Sequence, residues 1–272
     1  MKITPLIHMR PKLRSSIRIW IGSKFYTYKR YLEWIKRKTK FATQYNDTLL
    51  PFTVFSHNTP TLRKLKDVDM WMQYNKVINL KIALKKLNHI IIHPGETFSY
   101  WKLIGKITKQ KGYVDGMVLH YGKFRTSTGG GLCQLSNLIY WITLHTPLVV
   151  TERHRHSYDV FPDAKRTQPF GSGATCAYNY LDLQIFNPTE QPFQLHLVIE
   201  DDYLFGEWRT TNPPIHKYVV YEKEHSITQE YWGDYVRHNV IHRKVYNLNN
   251  EYIEDQYITE NHAIMMYQPL LK

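Results

Sequence analysis

The sequence predicts an α+β fold: a helix-borne cysteine packed on an antiparallel sheet carrying histidines, with a basic helical extension at the N-terminus. Three observations lead there. Leu135, Leu138, Ile139 and Ile142 recur at helical spacing directly after Cys133. Residues 149–161, and then several stretches from 177 onward, alternate as strands. Apolar residues at spacings of three and four run through the first 40 positions among many lysines and arginines.

That first segment holds 12 Lys or Arg against one acid, Glu33, and supplies +11 of the formal net charge of +13. Leu13, Ile17, Trp20, Ile21, Phe25, Tyr28, Tyr31, Leu32, Trp34 and Ile35 lie between the charges. Such a helix suits an anionic membrane surface, at ~1 kcal/mol per Lys or Arg near the leaflet. It equally suits packing of the stripe on the domain with the charges in water. No groove-reading motif accompanies the charge, so nucleic acid is set aside as a partner. The extension is taken as residues 1–56 and the main domain as 57–272, with a motif core at about 94–200 and a β-rich part at 201–272.

Further along, Asn46-Asp47 and Asn58-Thr59-Pro60 mark a turn-rich stretch, and a helix is predicted at about 75–88. Residues 90–93 form a short strand ended by Pro94-Gly95, with Glu96 expected as a solvated connector residue. The Cys133 helix ends near Thr146-Pro147, because proline cannot continue it. Residues 177–186 and 193–200 read as an antiparallel hairpin joined by Asn187-Pro188-Thr189-Glu190. Asp182 on it is expected as an exposed strand aspartate, with a role in orienting a histidine as the alternative. Strands at 217–222, 243–246 and 252–259 complete the tail, with a hairpin turn at 247–250.

Composition bounds the function. With 272 residues and 43% apolar content the chain can build a real core. Its two cysteines, 43 positions apart, form no CxxC or CxxH arrangement, so neither a disulfide framework nor a zinc ribbon is indicated. A reducing compartment suits a thiol that must stay free. Ile19-Trp20-Ile21-Gly22 is too short for a secretory apolar region, and no run approaches the ~18 apolar residues of a spanning helix. The expected location is cytoplasmic, peripheral to the inner membrane face.

The chemistry centres on Ser127-Thr128-Gly129-Gly130-Gly131-Leu132-Cys133-Gln134-Leu135-Ser136. A cysteine in the first helical turn meets unpaired N–H groups and the positive end of the helix dipole, which favour thiolate. Gly130 and Gly131 let a substrate carbonyl approach the backbone and can aim N–H groups at an oxyanion. If 149–161 is extended, Glu152, His154 and His156 share one face. They then offer a general base with an orienting carboxylate. Two nitrogen ligands for zinc with Cys133 as a third, or a purely structural histidine, are the alternatives. Gln134, Ser136 and Arg153 are taken as the substrate-binding surround.

Gly95-Glu96-Thr97-Phe98-Ser99-Tyr100-Trp101, Gly130-Gly131-Leu132-Cys133-Gln134-Leu135-Ser136, Glu152-Arg153-His154-Arg155-His156-Ser157 and Gly173-Ala174-Thr175-Cys176-Ala177-Tyr178-Asn179-Tyr180-Leu181-Asp182-Leu183 occur in that order. Together they resemble the VanW-like family, named for an accessory protein of B-type vancomycin-resistance clusters. With matched segments on either side, the resemblance covers roughly residues 57–267. It implies cell-wall chemistry. VanW domains of larger exported proteins are similar to L,D-type peptidoglycan transpeptidases, in which the cysteine of the glycine-rich motif is the nucleophile. That role falls on Cys133, and the base role on His154 or His156. The implied partner is a peptidoglycan stem peptide or wall precursor, attacked at a carbonyl to give a thioester; no cofactor and no metal are implied. The chain departs from the family pattern at Arg155, where proline is common, and at Cys176, where an aliphatic residue is common. A non-catalytic accessory that binds wall precursors is the other function class.

Overall fold

A computed structural model of the chain describes residues 14–36, 39–63, 69–160 and 168–269. In chain order the elements are α1 (Ser16–Lys36), β1 (Gln44–Tyr45), β2 (Phe52–Pro60), α2 (Met70–Leu87), β3 (Ile90–Ile92), β4 (Thr97–Ser99) and α3 (Tyr100–Ile104). The hairpin strands β5 (Asp115–His120) and β6 (Lys123–Thr128) follow, then α4 (Cys133–Thr143), β7 (Val149–Glu152), β8 (Tyr158–Asp159) and β9 (Gln184–Phe186). The chain continues through β10 (Phe193–Glu200), β11 (Tyr203–Thr210), β12 (His216–Gln229), β13 (Tyr235–Asn247) and β14 (Tyr252–Met265). This is the α+β mixture of helices and antiparallel sheets that the periodicity predicts.

A five-stranded antiparallel sheet in the order β1-β3-β10-β11-β2 forms the centre. α4 packs on β11 and β2, and α2 packs on β10. The core between them is Leu80, Ala83 and Leu87 from α2, Leu135, Leu138, Ile139 and Ile142 from α4, and Phe193, Leu195, Leu197, Leu204 and Trp208 from the sheet. Each large apolar side chain buried there contributes about 1.5–3 kcal/mol. Gly206 brings the sheet close to α4: a Cβ at that position would lie 3.0 Å from side-chain atoms of Leu138 and Leu197. The Trp208 indole N–H donates to Thr143 Oγ1 at 2.9 Å, so this buried ring has its polar atom satisfied.

Beside this unit lie a three-stranded sheet, β4-β9-β7, and the two-stranded β5-β6. β12, β13 and β14 form a long antiparallel meander whose last strand pairs in parallel with β8.

Several local expectations are corrected. The stretch 153–157 is not strand: β7 ends at Glu152, and His154 and His156 lie in the irregular segment before β8. Its backbone is pulled out of register by the Thr175 N–H, which donates to the His154 carbonyl at 2.8 Å, and by the Arg153 guanidinium. The hairpin at 177–200 is not formed either: β9 pairs with β4 and β7, whereas β10 pairs with β3 and β11. Glu96 is buried rather than solvated. It accepts from the His93 N–H at 3.0 Å and pairs with Lys40 at 3.2 Å. Position 56, taken as the end of the extension, falls inside β2, a full member of the central sheet. Residues 1–13, 37 and 38 of the basic segment lie outside the described residues.

Candidate active site at the start of α4

α4 begins at Cys133 itself. Two crossings hold the glycine turn before it. Gly130 lies against the backbone of Gly116 so closely that a Cβ on Gly116 would stand 2.8 Å from the Gly130 carbonyl oxygen. Asn79 of α2 donates from Nδ2 to Gly130 O at 2.9 Å and to Val114 O at 3.0 Å, and accepts from Val114 N at 2.9 Å. Gly131 has φ +92°, a left-handed conformation that favours glycine, and rests on the stem of Lys76. The Gly129 and Gly130 amides donate to Val114 O and Ser127 O. Gly131 and Leu132 have no backbone acceptor for their N–H among the described residues. The donors left for an oxyanion are thus those of 131–133, not that of Gly130.

The first turn of α4 also fixes the segment that faces the thiol. Ser136 Oγ donates to Ala174 O at 2.7 Å, and Asn137 Oδ1 accepts from Ala174 N at 2.8 Å. This puts Cys133 Sγ 3.9 Å from the Cys176 carbonyl oxygen. Both cysteines are free thiols. Burial pushes the Cys133 thiol up, against a smaller lowering by the backbone amides of Cys176 and of Cys133 itself. The expected preference for thiolate at a helix start is therefore outweighed by desolvation. Burial, then the neighbouring Cys133, raises the Cys176 thiol well above its ordinary value.

A polar chain runs beside this pair. His154 Nε2 lies 3.0 Å from Glu152 Oε1. Arg30 of α1 clamps the same carboxylate with both guanidinium nitrogens, at 2.7 and 2.5 Å. The Asp182 backbone N–H adds a third donor at 3.1 Å. Burial works against Glu152 ionisation, but His154 and Arg30 overcome it and hold the pKa down at about 2. Of Glu152 and Asp182, Glu152 is the one that hydrogen-bonds His154. Asp182 is buried, not exposed, and its acceptors face Ser99 Oγ at 2.5 Å, Trp101 N at 2.9 Å, Leu183 N at 3.0 Å and Gln184 Nε2 at 3.3 Å. It accepts from the first turn of α3, whose N-cap is Ser99, and makes no hydrogen bond to a histidine among the described residues. Burial lifts its pKa to about 6, in spite of those bonds.

His156 is half-buried, and burial and then the adjacent Arg155 charge lower its pKa, which disfavours the charged ring. Among the described residues no imidazole hydrogen-bonds the Cys133 thiol. Among the described residues no group of three metal-capable side chains converges, which leaves the zinc alternative without a ligand set.

The expected substrate-binding surround is tied into the scaffold. Arg153 donates to Gly173 O at 2.9 Å, Asn261 Oδ1 at 3.1 Å, Thr259 Oγ1 at 3.3 Å and Gly171 O, and stacks on Tyr140. It joins the 171–173 loop to β14. Gln134 Nε2 holds the end of β2 through Thr59 Oγ1 at 2.8 Å and Pro60 O at 2.9 Å.

Lys76 and Asn79, both placed under the glycine turn, escaped the sequence reading of the site. Lys76 is buried, with Nζ donating to Gln73 Oε1 at 2.8 Å. Burial, then the charge of Arg63, brings its pKa down to about 8. The signal was present: Gln73, Lys76, Leu80, Ala83 and Leu87 follow one helical face, so a polar pair lies on the inward stripe.

The family model for VanW-like proteins matches residues 75–209, which contain the glycine turn, Cys133, both histidines and Asp182. The chain is 34% identical over 195 residues to the vancomycin B-type resistance protein VanW of Enterococcus faecalis, covering 72% of this chain and 71% of that one. The chain belongs to the VanW family. It is also 27% identical over 114 residues to YoaR of Bacillus subtilis, covering 42% of this chain and 36% of that protein. No solved structure matches the chain. The 195-residue match to a VanW protein extends beyond the span of the family model, so elements flanking the Cys133 site are part of the likeness.

Proposed function

We propose that this VanW-family protein acts in cell-wall metabolism as a cysteine-dependent acyl transferase on peptidoglycan stem peptides or their precursors. The name of the Enterococcus faecalis relative ties that protein to B-type vancomycin resistance, which supports the cell-wall setting. One observation carries the mechanism: Cys133 opens α4 with its sulfur beside the Cys176 backbone, while Thr175 hydrogen-bonds the backbone of His154, the imidazole that Glu152 orients.

A thiol whose pKa is raised needs its proton removed as it attacks, so a base is required rather than a standing thiolate. Substrate displaces the Sγ contact with the Cys176 carbonyl, and His154 takes the thiol proton. Sulfur bonds to the carbonyl carbon, and the oxyanion is met by amides of 131–133. The C–N bond then breaks, the leaving amine takes the proton from His154, and a thioester remains on Cys133. An acceptor amine or water releases the acyl group and returns the thiol. Glu152, fixed by Arg30, stabilises the imidazolium that forms between the two proton transfers.

The raised pKa of both half-buried thiols favours a second reading, in which the pair is scaffold for a protein that binds wall precursors without turnover. Incubation of the purified chain with stem peptides, followed by mass spectrometry of products, separates the two. Activity lost in Cys133→Ser and lowered ~100-fold in His154→Gln supports acyl transfer. Peptide binding without turnover in wild type supports the second reading, and undiminished turnover in Cys133→Ser rules out the first.

A further inference from the structure

α1 meets the rest of the protein with its polar side. Arg30 is buried on Glu152 and also donates to Tyr180 O at 3.3 Å, Tyr31 shares a hydrogen bond with Tyr178 at 2.7 Å, and Trp34 packs on the core. Gly22, Ser23 and Thr27 continue that half-buried face. The opposite side carries Ile17, Trp20, Ile21, Phe25, Tyr28 and Ile35, each more than half exposed. At 3.6 residues per turn they form one stripe, and a surface helix normally turns such a stripe inward.

The charges say what covers it. Arg18, Lys24, Lys29 and Lys36 are exposed on the same helix, and the sole acid among residues 1–40, Glu33, faces Arg30 at 3.4 Å. A second copy of the chain would set one basic helix against another. A membrane-spanning role is unavailable to it, since no described helix is long and apolar enough to cross. An anionic lipid surface satisfies both features: aromatic and aliphatic side chains enter the headgroup boundary, and the cations meet the phosphates. We infer that the outer face of α1 docks the protein on the surface of an anionic lipid bilayer.

Docking there has a consequence for the site, one that rests on the acyl-transfer reading. Arg30 links α1 to Glu152, and Glu152 holds His154, so the helix on the lipid also fixes the base. The substrate class this favours is a wall precursor anchored to the same surface.

The test is co-sedimentation of the full chain with vesicles rich in phosphatidylglycerol and with vesicles of phosphatidylcholine alone. Binding is expected to be at least ~10-fold weaker on phosphatidylcholine and to fall as salt rises. Phe25→Ser with Ile35→Ser should weaken binding to the anionic vesicles at least ~10-fold without changing the melting curve. Equal binding by that variant, or no sedimentation of wild type with anionic vesicles, overturns the inference. So does self-association in vesicle-free buffer that the same pair abolishes, which gives the face to a second copy. Cys133→Ser is expected to bind vesicles like wild type. Docking without a Cys133 thioester leaves this inference standing and removes acyl transfer, and a thioester without docking does the reverse.

Discussion

α4 and α1 both carry apolar residues at helical spacing and both reach the Glu152–Cys133 neighbourhood, but they face opposite ways. α4 buries Leu135, Leu138, Ile139, Ile142 and even its polar Ser136 and Thr143, and leaves Cys133 and Gln134 at its start half-buried. α1 buries a single residue, Arg30, and turns the side with Ile17, Ile21, Phe25, Tyr28 and Ile35 outward. An apolar stripe therefore states that a face must be covered; it does not state by what. In α4 the cover is the central sheet. In α1 the charged clamp settles the orientation, because two guanidinium–carboxylate bonds and the Tyr31–Tyr178 bond act only if the polar side faces in.

The difference has a measurable order. Leu138→Ala in α4 removes a side chain packed against Gly206 and is expected to destabilise the fold by about 2–5 kcal/mol in urea unfolding. Arg30→Met is expected to cost about 3 kcal/mol, since it strands a largely buried carboxylate that keeps only His154 and the Asp182 amide. If Arg30→Met were neutral, α1 would not be held by that pair. Phe25→Ser on the outer face is expected to change stability by less than about 0.5 kcal/mol, and a loss as large as that of Leu138→Ala would make the stripe core.

The carboxylates behind this clamp sharpen the contrast through pH. Glu152, held at about 2, contributes stability that is present above its ordinary value of 4.5 and is lost as pH falls toward 2. Asp182, lifted from 3.8 to about 6, does the opposite: its contribution is full below 3.8 and is lost as pH rises through 6. Between pH 5 and pH 7 the unfolding free energy of wild type should therefore fall by about 1 kcal/mol more than that of Asp182→Asn. An identical pH dependence in the two proteins would mean Asp182 is ionised throughout.

How far the residues announce these arrangements depends on how local the cause is. α4 was legible because three glycines and an i, i+3, i+4, i+7 stripe are short-range facts. Asn58-Thr59-Pro60 predicts a turn, but β2 is an edge strand, where a proline interrupts no second ladder. The β5–β6 hairpin carries little local signal, because Tyr121-Gly122, with φ of 49° and 73°, forms a two-residue turn without the usual asparagine. The tail strands came out too short because bulges at Glu222/Glu224, Ile241/His242 and Val245/Tyr246 break the alternation. Within the site, the helix-start cysteine and the Glu152–His154 couple were visible in order and spacing. The burial of Glu96 and Asp182, and the closure of Arg153 on Gly171, Gly173 and β14, depend on partners far along the chain that no local pattern contains.

The most direct test of the account is the intact mass of the full chain quenched in acid during incubation with a stem peptide. Acyl transfer through Cys133 requires a hydroxylamine-sensitive mass increment equal to the acyl fragment, mapped to the 131–136 peptide and absent in Cys133→Ala. Product formed with no increment at Cys133, or the same increment in Cys133→Ala, would contradict it.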